Sequence, residues 1–428
     1  TFLTEVPVRR SDSWFRALIA LVVGSAALLA GGCGKKPAAP DMMIAELPRE
    51  LSVAERQVIT SSNAFAFDLL REVRARTAEE NIFLSPFSAS MTLGMAMNGA
   101  AGATLDQMRS ALHFEALSQE EINASYRRLL ALLLGLDPRV EIEIANSAWA
   151  RKGASFVPSF FEKVRRSFGA EVRELDFDLP TAPDTINAWA REKTRGRIES
   201  IIESIDPSID PLDFLFLINA VYFKGSWTLP FDPDRTRRAP FRREDGSTVD
   251  VDMMHARGVQ LWLGSSDGAQ IVELPYGGEA FTMVVVLPPA GTRLADLVAG
   301  LDAETWSRWV GSLRREWDAT VAFPRFRLSY EGSLEAPLQA LGMVNAFDPR
   351  RADFSRLTPR DDAHISEVKQ KTLLEVDEEG AEAVAVTSLG FTGVSAGPSI
   401  VVDRPFLVAI RERLTGTILF LGVIGDPS

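Results

Sequence analysis

Gly264-Ser265-Ser266-Asp267-Gly268 has the spacing G-x-S-x-G, in which a serine on a sharp turn attacks a carbonyl. That chemistry needs a strand before the turn, a helix after it and a histidine within reach. Gln260-Leu261-Trp262-Leu263 precedes Ser266 with strand composition, but Gln270-Ile271-Val272-Glu273-Leu274 follows it as a second strand. A hairpin turn is the better reading, and a serine hydrolase using Ser266 is a remote alternative. His113, His255 and His364 show neither triad nor metal spacing, and no H-E-x-x-H or Walker A run occurs. The sequence therefore predicts no enzyme active site, no cofactor and no metal.

Glu378 to Ser399, EEGAEAVAVTSLGFTGVSAGPS, asks for a different chemistry. Ala383-Val384-Ala385-Val386 has strand composition, yet Gly390, Gly393, Gly397 and Pro398 fill the far half with loop residues. A plain strand, Ile400 to Ile410, follows at once. The segment is a near-strand set among real strands.

The elements around it read as α+β. Ser52-Val53-Ala54-Glu55 is a capping box opening a helix with Phe65, Leu69 and Val73 on one face. Ser85-Pro86 opens a second helix and Thr104 with Gln107 a third. Ile142 and Ile144 alternate with Glu141 and Glu143, a strand with one wet face. Phe214 to Phe223 is nearly all apolar, a strand buried on both sides, and its Asn219 must find partners there. Further strands read at Phe281–Leu287, Ala319–Leu328, Leu373–Val376, Ile400–Ile410 and Thr417–Val423.

The 428 residues are 46% hydrophobic and carry a net charge of −12, which argues against nucleic acid and anionic membrane surfaces as partners. The basic cluster Arg235, Arg237, Arg238, Arg242 and Arg243 reads as a solvated loop. One cysteine permits no internal disulfide. Arg9, Arg10 and Arg16 precede the apolar run Ala17–Ala30, which is too short to span a bilayer and ends in Gly31-Gly32-Cys33. Small residues before a cysteine resemble a bacterial lipobox, with Leu29 one place further out than usual. The expectation is a signal peptide over 1–33, lipidation at Cys33, a flexible tether over 34–52 and the main domain over 53–428. Such a protein would be exported and anchored by lipid to a bacterial envelope, facing the periplasm or exterior; Gly34 points to the outer membrane of a Gram-negative cell.

Four stretches, in order along the chain, resemble the serpins: Asn81-Ile82-Phe83-Leu84-Ser85-Pro86-Phe87-Ser88, Asn219-Ala220-Val221-Tyr222-Phe223-Lys224-Gly225-Ser226-Trp227, Glu378-Glu379-Gly380-Ala381-Glu382-Ala383 and Val402-Asp403-Arg404-Pro405-Phe406-Leu407. The resemblance implies three β-sheets with about nine helices, an exposed reactive-centre loop at about 378–399, and a monomer that inhibits serine proteases as a suicide substrate. It implies a hinge at Glu378, Glu379, Gly380, Ala381, Glu382, Ala383, Val384 and Ala385. Ser85, Ser88, Asn219 and Gln370 match the place where the central strands part, with Gln370 where many serpins have His. Trp227, Arg325 and Glu378 match the top of that sheet. Counting from Gly380 and from Pro405 puts the cut at Val394-Ser395, whose valine suits an elastase-like protease; Leu389 or Phe391 would suit a chymotrypsin-like or subtilisin-like one. As an inserted strand, one face would carry Ala381, Ala383, Ala385, Thr387, Leu389 and Phe391, without charge, while Glu382 falls on the other. A non-inhibitory serpin acting in binding or as a chaperone is the alternative.

Overall fold

The structure is a computed structural model and describes residues 43–153, 155–205, 214–380 and 397–428. Its helices are α1 (Val53–Arg74), α2 (Pro86–Ala96), α3 (Gly102–Ala111), α4 (Gln119–Gly135), α5 (Pro158–Phe168), α6 (Ala182–Lys193), α7 (Leu294–Ala299), α8 (Ala303–Ser312) and α9 (Glu335–Ala340). The strands of the first half are β1 (Asn81–Leu84), β2 (Val140–Arg151), β3 (Glu171–Leu175) and β4 (Leu215–Gly225). Next come β5 (Arg237–Arg242), β6 (Thr248–Ser266), β7 (Ala269–Tyr276), β8 (Phe281–Leu287) and β9 (Arg314–Pro324). The last are β10 (Phe326–Ser333), β11 (Ile365–Val376), β12 (Ser399–Val401), β13 (Phe406–Glu412) and β14 (Ile418–Ile424).

A five-stranded sheet runs β10-β11-β4-β2-β3. Its central pair, β4 and β11, is parallel, while β10 and β2 lie antiparallel on the two outer sides of that pair. A nine-stranded sheet runs β1-β14-β13-β8-β7-β6-β9-β12, with β5 also on β6. The first half of β6 pairs with β5 and the second with β7, so two of the three expected sheets meet along this one strand.

Period-two alternation explains why β4 is apolar throughout. Leu215, Leu217, Val221 and Phe223 enter the main core, while Phe216, Ile218 and Ala220 join a second core with Trp149, Phe177 and Trp189 under α6. α2 packs against β2, β4 and β14, between the two sheets, and is buried at every position. A helix so placed needs no polar face. The Ser52–Glu55 capping box forms as read, and Phe65, Leu69 and Val73 are buried.

Several local readings are corrected. Thr104 and Gln107 do not cap α3; they lie inside it and accept hydrogen bonds from the backbone N–H groups of Asp353 and Asn345 instead. Ser85 precedes Pro86 as expected, but its hydroxyl donates to the Leu419 carbonyl rather than capping α2. Ala319–Leu328 is two strands, because the chain crosses from one sheet to the other at Pro324-Arg325. Ile400–Ile410 likewise splits at Val402–Pro405, where proline cannot donate to a ladder. Most of the basic cluster is an edge strand, β5, with Arg237, Arg238 and Arg242 exposed. Of the segment 34–52 read as a tether, the described part lies along the body. Ile44 donates its N–H to Gly278 O at 2.8 Å, and Ile44, Leu47 and Leu51 pack on the core.

Candidate functional site

Asn146, Asn219 and Gln370 are opposite one another on β2, β4 and β11. They form a buried amide row across three strands, including the parallel pair. Asn219 Nδ2 donates to Asn146 Oδ1 at 2.6 Å and to the Ser88 hydroxyl. Gln370 Nε2 donates to Asn219 Oδ1 at 2.7 Å and to Ser85 O at 2.9 Å, while its Oε1 accepts from Ser85 N at 2.8 Å. Thr92 Oγ1 closes the row from α2 by donating to Asn146 Oδ1 at 2.7 Å. The four residues read from sequence as one group, Ser85, Ser88, Asn219 and Gln370, are therefore in contact. Asn146 and Thr92 were missed. The reasoning applied to Asn219, a carboxamide inside an apolar strand, would have found Asn146.

Above this row the β4–β11 ladder ends at Leu373 opposite Tyr222, although both strands continue for three residues. A tight turn at Asp377–Gly380 takes the chain out of the sheet. Trp227 holds it with two hydrogen bonds: Nε1 donates to Asp377 O at 2.8 Å and N to Glu379 O at 3.2 Å. Trp227 itself is stacked on Tyr276, ring centroids 4.2 Å apart, and Ser226 O accepts from Gly277 N at 2.7 Å. Gly380 has φ of +78°, and a Cβ there would lie 2.2 Å from Trp227 N and 2.5 Å from Gly225 O. Only glycine fits that turn.

Glu378 is buried beneath it. Its carboxylate accepts from the Thr236 hydroxyl at 2.6 Å and faces Arg325 at 3.6 Å, and its carbonyl accepts from Phe231 N at 2.8 Å. Arg325 is half exposed, so that ion pair is worth at most about 1 kcal/mol. Thr236, which no sequence signal marks, makes the closer contact. Burial pushes the Asp377 carboxyl above its ordinary range, and the charges of Glu378 and Glu375 act in the same direction. The turn thus concentrates acidic groups at the mouth of the sheet.

The chain re-enters the structure at Gly397. A Cβ at this residue would meet Asp318 O at 2.0 Å, a second close backbone approach. Pro398 O then accepts from Thr320 N at 2.9 Å, and β12 pairs parallel with β9. Ala381, Glu382, Ala383, Val384, Ala385, Val394 and Ser395 lie outside the described residues, as does Cys33.

Ser266 stands in the β6–β7 hairpin, as read. Its hydroxyl donates to Asp267 Oδ2 at 3.1 Å, and Asp267 and Gly268 have positive φ, as a tight hairpin turn requires. The histidines bond elsewhere: His113 to Asp68, His255 to Met253 O and His364 to Asp362 O.

The described residues thus show a parallel strand pair, a glycine turn above it at Asp377–Gly380 and a second close backbone approach at Gly397, on either side of residues 381–396. The family model described as Serpin (serine protease inhibitor) matches residues 60–427, and the chain belongs to the serpin family. Mouse antithrombin-III is 32% identical over 92% of this chain and 87% of its own length. The crystal structure of mouse protein Z-dependent protease inhibitor superposes with a TM-score of 0.79 at 27% identity, covering 88% of this chain and 98% of its own. Human thyroxine-binding globulin superposes at 0.80 and 28% identity, covering 88% and 100%. Serpins as a family are inhibitors of serine proteases, not enzymes.

Replacing Asn219 by Ala removes one donor each from Asn146 Oδ1 and the Ser88 hydroxyl, and an acceptor from Gln370, in a buried site. Native stability should fall by roughly 1–3 kcal/mol, read as a lower urea midpoint. An unchanged midpoint would show that the amide row does not hold the central strands.

Proposed function

We propose that this chain is an inhibitory serpin that traps a serine protease of elastase-like preference as a covalent acyl-enzyme. The observation that carries the reading is the parallel β4–β11 pair, whose ladder ends below the Asp377–Gly380 turn. A chain that leaves β11 and turns back must run antiparallel to β11, and hence antiparallel to β4 as well. One parallel ladder of eight residue pairs would give way to two antiparallel ladders, the pairing that is more stable per residue.

In this reading the protease serine attacks the carbonyl carbon of Val394. The peptide bond to Ser395 breaks, the Ser395 amine leaves with a proton, and Val394 stays on the enzyme as an ester. The segment from Ala381 to Val394, free at one end, then enters between β4 and β11 as a strand of roughly 45 Å. Loop insertion in serpins is an example the physical chemistry of strand addition already includes. Ala381, Ala383 and Ala385 are small enough to pass first, and Glu382 faces the other side. Glu378, Glu379, Gly380, Ala381, Glu382, Ala383, Val384 and Ala385 serve as the hinge, the Trp227, Arg325 and Glu378 contacts as the latch at the top, and Ser85, Ser88, Asn219 and Gln370 as the part that must slide open. Valine at the cut suits a shallow pocket; a subtilisin-like enzyme reading Leu389 or Phe391 is the second choice.

The similarity to human thyroxine-binding globulin, by name a hormone binder, supports a second reading as a non-inhibitory carrier. Such a protein would be cut without holding the protease. The reading also extends to the N-terminus: a lipid on Cys33 holds the inhibitor on a bacterial envelope membrane, supported by the basic, apolar and small-residue order before that cysteine.

Incubation with pancreatic elastase should yield an SDS-stable complex and a cut between Val394 and Ser395 by mass spectrometry, and the cut protein should melt far above the intact one. Equal melting temperatures would remove the insertion mechanism. Ala381→Arg should convert inhibitor into substrate, since a buried guanidinium stalls the entering strand; undiminished complex would contradict the facing assigned to the loop. Cys33→Ala should move the protein from the membrane fraction to the soluble one, and a variant still membrane-bound would end the anchor proposal.

A further inference from the structure

Trp317 is 72% exposed, on a strand next to the foot of the loop. Local backbone geometry accounts for it. Val259 pairs with Ala319 and Leu261 with Glu316, so Trp317 and Asp318 of β9 together oppose the single residue Gln260 of β6. Asp318 takes a φ of +58° within this bulge. A bulge re-aims the side chains it carries, and this one turns an indole into solvent at a cost in backbone strain. The same Asp318 supplies the carbonyl against which Gly397 is pressed. The bulge therefore both seats the loop's foot and presents the tryptophan.

We infer that Trp317 is a docking anchor for the body of the target serine protease, outside the cleft that holds the loop. This rests on the reading of Val394-Ser395 as the bait. Ser395 is two residues from Gly397, and covalent geometry keeps it within about 7 Å of that foot whatever path the chain takes. An enzyme that closes on this bond must cover the ground around Asp318, so Trp317 is buried by the protease in the encounter complex. The partner surface it fits is an apolar patch on the rim of the protease cleft. Tryptophan is one of the three side chains enriched among those that carry a large share of binding energy when desolvated at an interface.

Trp317→Ala is compared with the parent and with Leu179→Ala, which removes another exposed apolar side chain, in the β3–α6 connection. Pancreatic elastase is the probe, and the rate constant for complex formation and the moles of inhibitor consumed per mole of enzyme are both measured. The expected result is a rate about ten-fold lower for Trp317→Ala alone, with unchanged stoichiometry, as loss of one interface anchor implies. Equal rates overturn the inference and leave the inhibitor reading intact. A lower rate with more inhibitor consumed also overturns it, because Trp317 would then act on insertion. A parent dimer that Trp317→Ala dissolves overturns it in favour of a second copy as the occupant. No complex with any of the three proteins ends the elastase-like reading and this inference with it.

Discussion

Two strands running in the same direction at the centre of a sheet impose the constraint on which the rest of this molecule depends. β4 and β11 are joined by the chain from Ser226 to His364, and their pairing is the weaker kind. Three elements brace the pair. α2 supports it from behind, the amide row joins it halfway, and the Trp227 clasp holds the exit turn at the top.

The amide row has a different physical character from the core on either side of it. Apolar contacts are non-directional, and strands held by them alone can slip in register. Three carboxamides in line, braced by Ser85, Ser88 and Thr92, make these bonds in one register only, with Asn146 Nδ2 the one amide nitrogen of the row left without a partner among the described residues, and a shift would strand several more buried groups at once. The central strands are thus fixed in register by groups that can also exchange partners. The two glycine contacts, at Gly380 and Gly397, press the chain on either side of residues 381–396 against fixed backbone so tightly that neither position admits a side chain.

Much of this was legible in the sequence because it follows from local chemistry. The Ser52 box, the doubly buried β4, the hairpin at Ser266 and the demand of Asn219 for partners could all be read from residue types and spacing. The resemblance then joined Ser85, Ser88, Asn219 and Gln370, which lie far apart in sequence and touch in space. What was missed depended on tertiary contacts. Thr104 looks like a cap, but a neighbouring loop claims its hydroxyl. Pro324 and Pro405 mark places where an apolar run changes sheet or ends, and periodicity alone does not distinguish these from one long strand. Thr236 bonds to Glu378 only because β5 and its approach are brought up to the Asp377–Gly380 turn, which no local pattern announces. The bulge at Trp317 is visible only once β6 and β9 are in register.

The contact between Ile44 and Gly278 makes a load path. Gly278 is joined to Gly277, Gly277 N bonds to Ser226 O, and the next residue, Trp227, holds the carbonyl of Glu379. Tension applied at Ile44 therefore reaches Glu379 through two covalent steps and three hydrogen bonds. In mechanical terms, the strap at Ile44 is fastened to the exit turn of β11 and not to the casing.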